Sequence, residues 1–140
     1  MVERTDKQTF LNKQPIFFSD FLTNFNKHPS TGALGRVTNS NSLKQALKNI
    51  VLTNFGERLY QPNLGGNVSG ALFEQMDGFT INLLSNSIKS TIFNNEPRVQ
   101  SLNVNIIPDI NNNLYNVTIA FIEQNTRVTE SFDLVLIRNR

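Results

Sequence analysis

The hydrophobic pattern changes its period at Pro97, and this change constrains the fold more than any other feature of the sequence. Beyond Pro97, apolar and polar residues alternate in three runs, at 102–106, 115–121 and 128–137, with turn-forming residues between them. Alternation with a period of two is typical of strands that bury one face. Because such short links join antiparallel neighbours, the pattern predicts a three-stranded antiparallel meander.

Before Pro97, two segments carry apolar residues at helical spacing. The first follows Ser42, whose spacing to Gln45 predicts a capping box, and Gly56 is expected to end this helix as the glycine after the last turn. The second helix is predicted over 80–94, because a proline disfavours helical backbone at the residue before it.

The segment between the two helices is rich in Gly, Pro and Asn and is predicted to be an ordered loop. We expect Leu59, Tyr60 and Leu64 to anchor it, and Ser69 to cap a short helix. Two amphipathic helices would then cover one face of the meander. The fold class predicted from these patterns is α+β, with helices packed on one face of a small antiparallel sheet.

Residues 1–40 show only weak periodicity and are predicted to form an extended N-terminal arm. The apolar anchors of the arm include Phe17, Phe18, Phe21 and Leu22. Residues 41–140 form the predicted α+β domain. No apolar run is long enough to cross a membrane, and the polar start MVERTDKQTF lacks the apolar stretch of a secretory signal. We therefore expect no membrane partner and no secretion by a signal peptide.

Composition argues against most enzyme and cofactor chemistry. The chain has no Cys, which excludes thiolate metal sites and a cysteine nucleophile. Its one His, His28, lies beside a proline in a polar stretch, as is typical of a surface residue. We expect no catalytic site, no metal and no cofactor. A net charge of +2, with Lys and Arg scattered along the chain, also predicts no nucleic-acid partner.

The tripeptide Glu96-Pro97-Arg98 lies where the second helix gives way to the first strand. Pro97 fixes its own φ and moves Glu96 out of the helical region, so the tripeptide is stiff and extended. Side chains two residues apart in an extended chain project to the same side, and Arg98 carries a planar fork suited to a carboxylate. Two interpretations stay open: a helix stop with an exposed ion pair of about 0–1 kcal/mol, or a rigid charged docking surface.

Two stretches together give a resemblance to a known family. They are GERLYQPNLGGNVSGALFEQM (56–76) and NNEPRVQSLNVNIIPD (94–109). Both, with the preceding helix SLKQALKNIVLTNFGER, resemble the baseplate wedge family of contractile phage tails and type VI secretion systems, which is often labelled lysozyme-like. The similarity runs in order over roughly residues 40 to 137, and the first 40 residues carry no part of it.

The resemblance implies a structural role rather than an enzymatic one. Members of the family lie in the inner baseplate around the tail tube, contact other wedge proteins and start sheath assembly. Their Glu-Pro-Arg motif is the wedge-docking element, and it corresponds here to Glu96, Pro97 and Arg98. Tail tube or hub proteins are further expected partners. The resemblance also implies several copies, six by the usual symmetry, assembled in the host cytoplasm into the tail baseplate of a virion.

Strand addition is a second expected mode of contact. The family's sheet resembles part of the sheath subunit and is thought to accept strands from the first sheath ring. A three-stranded meander also has two open edges, and an open edge is a template for another strand. The third strand is the expected acceptor of a sheath strand. Its expected partner-binding residues are Val128, Glu130, Phe132, Leu134 and Leu136.

Two other functions compete with the structural one. The lysozyme-like label suggests a peptidoglycan hydrolase, which needs two carboxylates across a cleft. Glu96 with Glu74 or Glu57 is the pair that such an enzyme would use here, although nothing in the sequence shows two of them converging. A generic oligomerisation or adaptor domain of a cellular protein is the third hypothesis.

Overall fold

The computed structural model describes residues 15–138. The chain divides into two compact units, residues 1–39 and 40–140. Each unit is described by itself below. Among the described residues, no helix combines the length and the apolar character that a membrane crossing requires.

The first unit contains a short hairpin that the sequence did not predict. Strands β1 (Ser19–Phe21) and β2 (Arg36–Thr38) pair antiparallel, with Asp20 opposite Val37. The Asn39 side chain fastens the start of the hairpin, since its Oδ1 accepts a hydrogen bond from Phe17 N at 2.9 Å. The predicted extended arm therefore has paired strands where it is described. Residues 1–14 of the predicted arm lie outside the described residues.

Three helices precede the sheet: α1 (Asn39–Leu52), α2 (Val68–Ala71) and α3 (Gly78–Asn95). Helix α3 matches the predicted position, and its N-cap Asp77 accepts a hydrogen bond from Thr80 N at 2.8 Å. That bond is the first cause of the lowered pKa of Asp77.

The predicted caps of the other helices are wrong. Ser42 lies inside α1 and is buried, because the helix begins at Asn39, three residues earlier. Gly56 does not end α1, which stops at Leu52. Instead Gly56, with φ of +82°, donates its N–H to Pro62 O at 2.8 Å within the following loop. Ser69 likewise lies within α2, which begins at Val68.

The loop between α1 and α2 is ordered, but not by the anchors that the sequence suggested. Leu59 is 91% exposed and Tyr60 is 96% exposed, so neither side chain packs on the domain. Leu64 is half-buried. The loop is held from its base instead, where Gly66 N donates to Thr53 O at 3.0 Å.

The meander predicted after Pro97 is confirmed. Strands β3 (Val99–Asp109), β4 (Leu114–Glu123) and β5 (Thr129–Ile137) form one antiparallel sheet in the order β3-β4-β5. A register shift between Val99 and Ser101 interrupts the β3–β4 pairing near its start. Short turns join the strands, and at the first of them Asp109 Oδ2 accepts from Asn112 Nδ2 at 2.8 Å.

The core of the second unit lies between the helices and the inner face of this sheet. Helix α1 contributes Leu43, Leu47 and Val51, whereas α3 contributes one residue per turn along a single face. Strand β4 supplies the sheet's buried centre with residues at alternate positions, from Tyr115 to Phe121. The predicted α+β class, with helices covering an antiparallel meander, is thereby confirmed.

Candidate functional site

The helix–strand joint, which we define as residues 96–98, takes the conformation that its proline dictates. Glu96 caps α3 with extended backbone, φ −130° and ψ 91°, and its N–H donates to Ile92 O at 2.8 Å. Pro97 follows, and β3 begins one residue after Arg98. The predicted helix stop is therefore present, because helical backbone at Glu96 would clash with the Pro97 ring.

The two charges of the joint are directed at each other rather than displayed separately. Arg98 Nε donates to Glu96 Oε1 at 2.6 Å, and Arg98 Nη2 donates to Glu96 Oε2 at 2.6 Å. Arg98 N also donates to Oε1 at 3.3 Å. The carboxylate thus accepts two hydrogen bonds from the guanidinium and one from a backbone N–H. Such charge-assisted pairs are short and geometrically specific.

Burial differs between the partners of this pair. The Glu96 side chain is 6% exposed, whereas the Arg98 side chain is 29% exposed. The sequence allowed for an exposed ion pair, but this carboxylate lies in the interior. What the joint offers to a partner is the outer edge of the Arg98 guanidinium and the exposed Pro97 ring. The charge of Arg98 is largely neutralised by Glu96, so contact there depends mainly on shape.

A second buried carboxylate, Glu123, lies next to the joint, and the sequence analysis missed it. Glu123 ends β4 opposite Val99 in the register, and the following Gln124 N donates to Arg98 O at 2.9 Å. Glu123 is 2% exposed. Its Oε2 accepts from the Thr126 hydroxyl at 3.0 Å, while its Oε1 has no hydrogen-bond partner within residues 15–138. The alternation along β4 could have predicted the burial of Glu123, since every second residue from Tyr115 faces inward.

The three carboxylates of the hydrolase hypothesis lie in different environments. Glu57 accepts from Asn54 N at 3.0 Å and from Asn54 Nδ2 at 2.7 Å, and the backbone bond from Asn54 is the first cause of its lowered pKa. A general acid needs a raised pKa instead. Glu74 is exposed. Both oxygens of Glu96 are engaged by Arg98 in a short ion pair.

Residues 15–138 contain no group of three or more acidic, His or Cys side chains that is placed to hold a metal ion. His28 Nδ1 accepts from Ser30 N at 3.4 Å and lies 2.9 Å from Ser30 Oγ, within the exposed stretch between β1 and β2.

Both outer strands of the meander lack a second neighbour among the described residues. Arg138 N donates to Asn113 O at 2.9 Å, and this bond shows which residues of β5 turn their backbone groups toward β4. In an antiparallel pair, alternate residues turn both backbone groups toward the partner strand. Even-numbered residues of β5 therefore bond to β4, and the odd-numbered ones face the open edge. The open-edge residues are Thr129, Ser131, Asp133, Val135 and Ile137.

The residues that the sequence suggested for strand addition are even-numbered, whereas those at the open edge are odd-numbered. Four of them direct their side chains to the inner face of the sheet and their backbone groups to β4: Glu130, Phe132, Leu134 and Leu136. Val128 precedes β5 and is 52% exposed. Glu130 also pairs with Lys44, with 2.8 Å between Oε2 and Nζ. These residues fix β5 in the sheet, and an incoming strand would contact the odd-numbered backbone groups instead.

The β3 edge is less suited to a new strand. The same alternation turns the backbone of its even-numbered residues outward, and one of these is Pro108. Proline has no N–H to donate, and its presence within a strand is typical of a protected edge. Strand β5 contains no proline. The two edges therefore differ in how many donors they offer.

Comparison with known proteins places this fold in a family. Residues 37–128, well over half of the chain, match the family described as baseplate wedge protein gp25. The chain belongs to that family. The resemblance drawn from the Glu-Pro-Arg joint and the glycine-rich loop is confirmed.

Relatives of this baseplate wedge family member include the baseplate wedge protein gp25 of Enterobacteria phage T4. The two are 39% identical over 67 residues, which make up 48% of this chain and 51% of the phage protein. The chain thus spans about half the length of this curated relative.

Solved structures share the fold of the family member. A putative tail lysozyme from Geobacter sulfurreducens superposes with a TM-score of 0.67 at 20% identity, over 72% of this chain and 92% of that one. A chain of the anti-feeding prophage baseplate gives a TM-score of 0.59 at 22% identity, over 88% of this chain and 87% of its own length. At these identities the likeness concerns the fold alone.

Proposed function

We propose that the chain is a structural component of a contractile-tail baseplate, that it docks on other wedge proteins through the joint, and that it initiates the tail sheath by accepting a strand at β5. The observation that carries the proposal is membership of the baseplate wedge family. The forked Glu96–Arg98 pair and the open edge of β5 supply two surfaces on which such a protein can be assembled.

The joint supports docking because it is rigid. Its backbone is fixed by Pro97 and its side chains by three hydrogen bonds between Arg98 and the Glu96 carboxylate. A surface that is already ordered loses little conformational entropy when a partner binds. A wedge protein that docks there would pack on the exposed Pro97 ring.

The open edge of β5 supports strand addition for a different reason. Main-chain hydrogen bonds supply most of the affinity in this mode, and side chains set the register. On the outer face, Val135 and Ile137 are exposed at 54% and 66%, which gives an incoming strand apolar neighbours at one end. The tail sheath protein is the proposed donor of that strand. Tail tube or hub proteins are further proposed partners in the inner baseplate.

The proposed copy number is six per baseplate, assembled in the host cytoplasm into the tail. One structural neighbour comes from a baseplate that was symmetrised six-fold, and that description belongs to the neighbour. Six copies would place six β5 edges in a ring, one for each strand of a six-fold sheath layer.

Docking is tested with Arg98→Lys in the system that encodes the chain. Lysine keeps the positive charge beside Glu96 but loses the planar fork. We expect the variant to fold and its incorporation into tails to fall, as measured by quantitative mass spectrometry of purified particles. Arg127→Lys, at an exposed turn residue of the same type, is the control. Normal incorporation of Arg98→Lys would show that the joint is not the docking element.

Strand addition is tested with two prolines at adjacent positions of β5. Val135→Pro removes an N–H that faces the open edge, so we expect a folded chain that enters baseplates but starts no sheath. Leu134→Pro removes an N–H bonded to β4 and a core side chain, and we expect it to unfold the domain. Sheaths of normal number on Val135→Pro baseplates in electron micrographs would contradict the proposal. Leu102→Pro removes an N–H that faces the open edge of β3, and so tests that edge in the same way.

A further inference from the structure

The 55–63 loop, between α1 and α2, is exposed at every position. It carries three large apolar side chains, Phe55, Leu59 and Tyr60, and two of them protrude almost completely, Leu59 at 91% and Tyr60 at 96%. Leaving a large apolar side chain in water forgoes about 1.5–3 kcal/mol relative to burying it. Two adjacent side chains of this kind are a costly feature of a free surface.

The base of the loop is fixed despite its exposed tip. Gly56 N donates to Pro62 O at 2.8 Å, which closes the loop across its own neck. Asn54 and Glu57 add two bonds at the start, of 2.7 and 3.0 Å. Gly65 approaches the Thr53 carbonyl so closely that a Cβ atom there would overlap it. The protrusion of Leu59 and Tyr60 is therefore set by a clamped neck.

The loop and the helix–strand joint are neighbours in the fold. Asn95, the last residue of α3, donates from Nδ2 to Gly65 O at 3.3 Å and to Thr91 O at 2.8 Å. The next residue is Glu96. Gly65 lies two residues beyond the loop, so one side chain ties the end of the loop to the residue before the joint.

We infer that Leu59 and Tyr60 form a plug that inserts into an apolar pocket of the wedge protein bound at the joint. This inference rests on the proposed function. Tyrosine is enriched among residues that dominate binding energy, since it buries a large rigid area and keeps a hydroxyl for one hydrogen bond. A preformed plug also binds with little ordering cost.

The charges of the loop specify the rim of that pocket. The Glu57 carboxylate is engaged by Asn54, whereas Arg58 makes no ion pair with any residue between 15 and 138. The pocket that fits this loop is apolar at its centre and acidic at its rim, opposite Arg58. A single cation also distinguishes the plug from a membrane-binding loop, which gains about 1 kcal/mol from each of several Lys or Arg residues.

The test compares Leu59→Ser/Tyr60→Ser with Phe79→Ser, a matched loss of an apolar side chain that is 75% exposed at the start of α3. Both variants should unfold at the wild-type temperature. Incorporation of the double variant into purified baseplates should fall about tenfold or more, because two anchor side chains are lost. Phe79→Ser should incorporate normally.

Several results would overturn the plug. Normal incorporation of the double variant is one, and loss of incorporation by Phe79→Ser to the same degree is another. A concentration-dependent dimer of the wild-type chain that the double variant dissolves, seen by sedimentation, would assign the plug to a second copy. Flotation with phosphatidylserine vesicles that the double variant loses would assign it to a membrane.

The plug and the proposed function fail in different ways. If the double variant incorporates normally while Arg98→Lys does not, the plug alone is wrong. If the wild-type chain is absent from purified tails, the proposed function is wrong.

Discussion

Asn95 precedes the helix–strand joint and bonds to Gly65 just beyond the 55–63 loop, yet the two regions hold their side chains in contrasting ways. At the joint, opposite charges close on each other, and Glu96 is 6% exposed in its side chain. In the loop, apolar side chains point into solvent above a clamped neck. The difference teaches that burial and exposure here do not follow hydrophobicity.

The largest expected effect is at the joint. Arg98→Ala leaves the Glu96 carboxylate buried without the guanidinium that binds it, and we expect the free energy of unfolding to fall by about 3 kcal/mol. This value lies toward the lower end of the cost of breaking a buried ion pair, because Arg98 is partly exposed. Arg58→Ala in the loop, which removes a cation without an ion pair, should change it by less than about 0.5 kcal/mol. Urea unfolding of the isolated chain measures both. Equal losses in the free energy of unfolding for the two variants would contradict the contrast between the joint and the loop.

An intermediate effect is expected at the neck of the loop. Gly65 has φ of +108°, and a Cβ atom would overlap the Thr53 carbonyl. We expect Gly65→Ala to destabilise the chain by about 1–2 kcal/mol, since both the backbone and the close approach are strained. Gly78→Ala is the control, because a Cβ atom there meets nothing within 4 Å. A thermal melt in which the two variants agree would show that the neck is not clamped as described.

The smallest expected effect is a pH dependence confined to the loop. The pKa of Glu57 lies below its ordinary value of 4.5, chiefly because Asn54 N donates to its carboxylate. A lowered folded-state pKa means that the stabilisation is present above pH 4.5 and is lost as the pH falls through the folded value. Hydrogen exchange at the Asn54 amide should therefore accelerate in acid, after correction for intrinsic rates. In Glu57→Gln this acceleration should disappear, and its persistence would assign the effect to another group.

The sequence predicted the parts of the fold in which one local signal dominates. The meander followed from period two after Pro97, and the end of α3 followed from the same proline. The start of α1 was predicted wrongly, since the helix begins at Asn39, whose side chain bonds to Phe17, a contact 22 residues away. The β1–β2 hairpin was missed since strands of three residues are too short to show a period.

The sequence predicted that Glu96 and Arg98 project to the same side of the chain, but not how the two side chains are arranged. Glu96 and Arg98 were identified by their spacing, yet the depth of Glu96 depends on packing that no local pattern encodes. Leu59 and Tyr60 were expected to anchor the loop because apolar residues usually do. The buried Glu123 was readable from the alternation along β4, and an acidic residue at an inward position was the signal.

A side-chain-resolution electron microscopy map of the assembled baseplate tests the central claim most directly. The account predicts a wedge protein in contact with Arg98 and with Tyr60 at once, and a sheath strand hydrogen-bonded to Ser131, Asp133 and Val135 along β5. A map in which Arg98 and Tyr60 face solvent, with the added strand on β3 or absent, would contradict it.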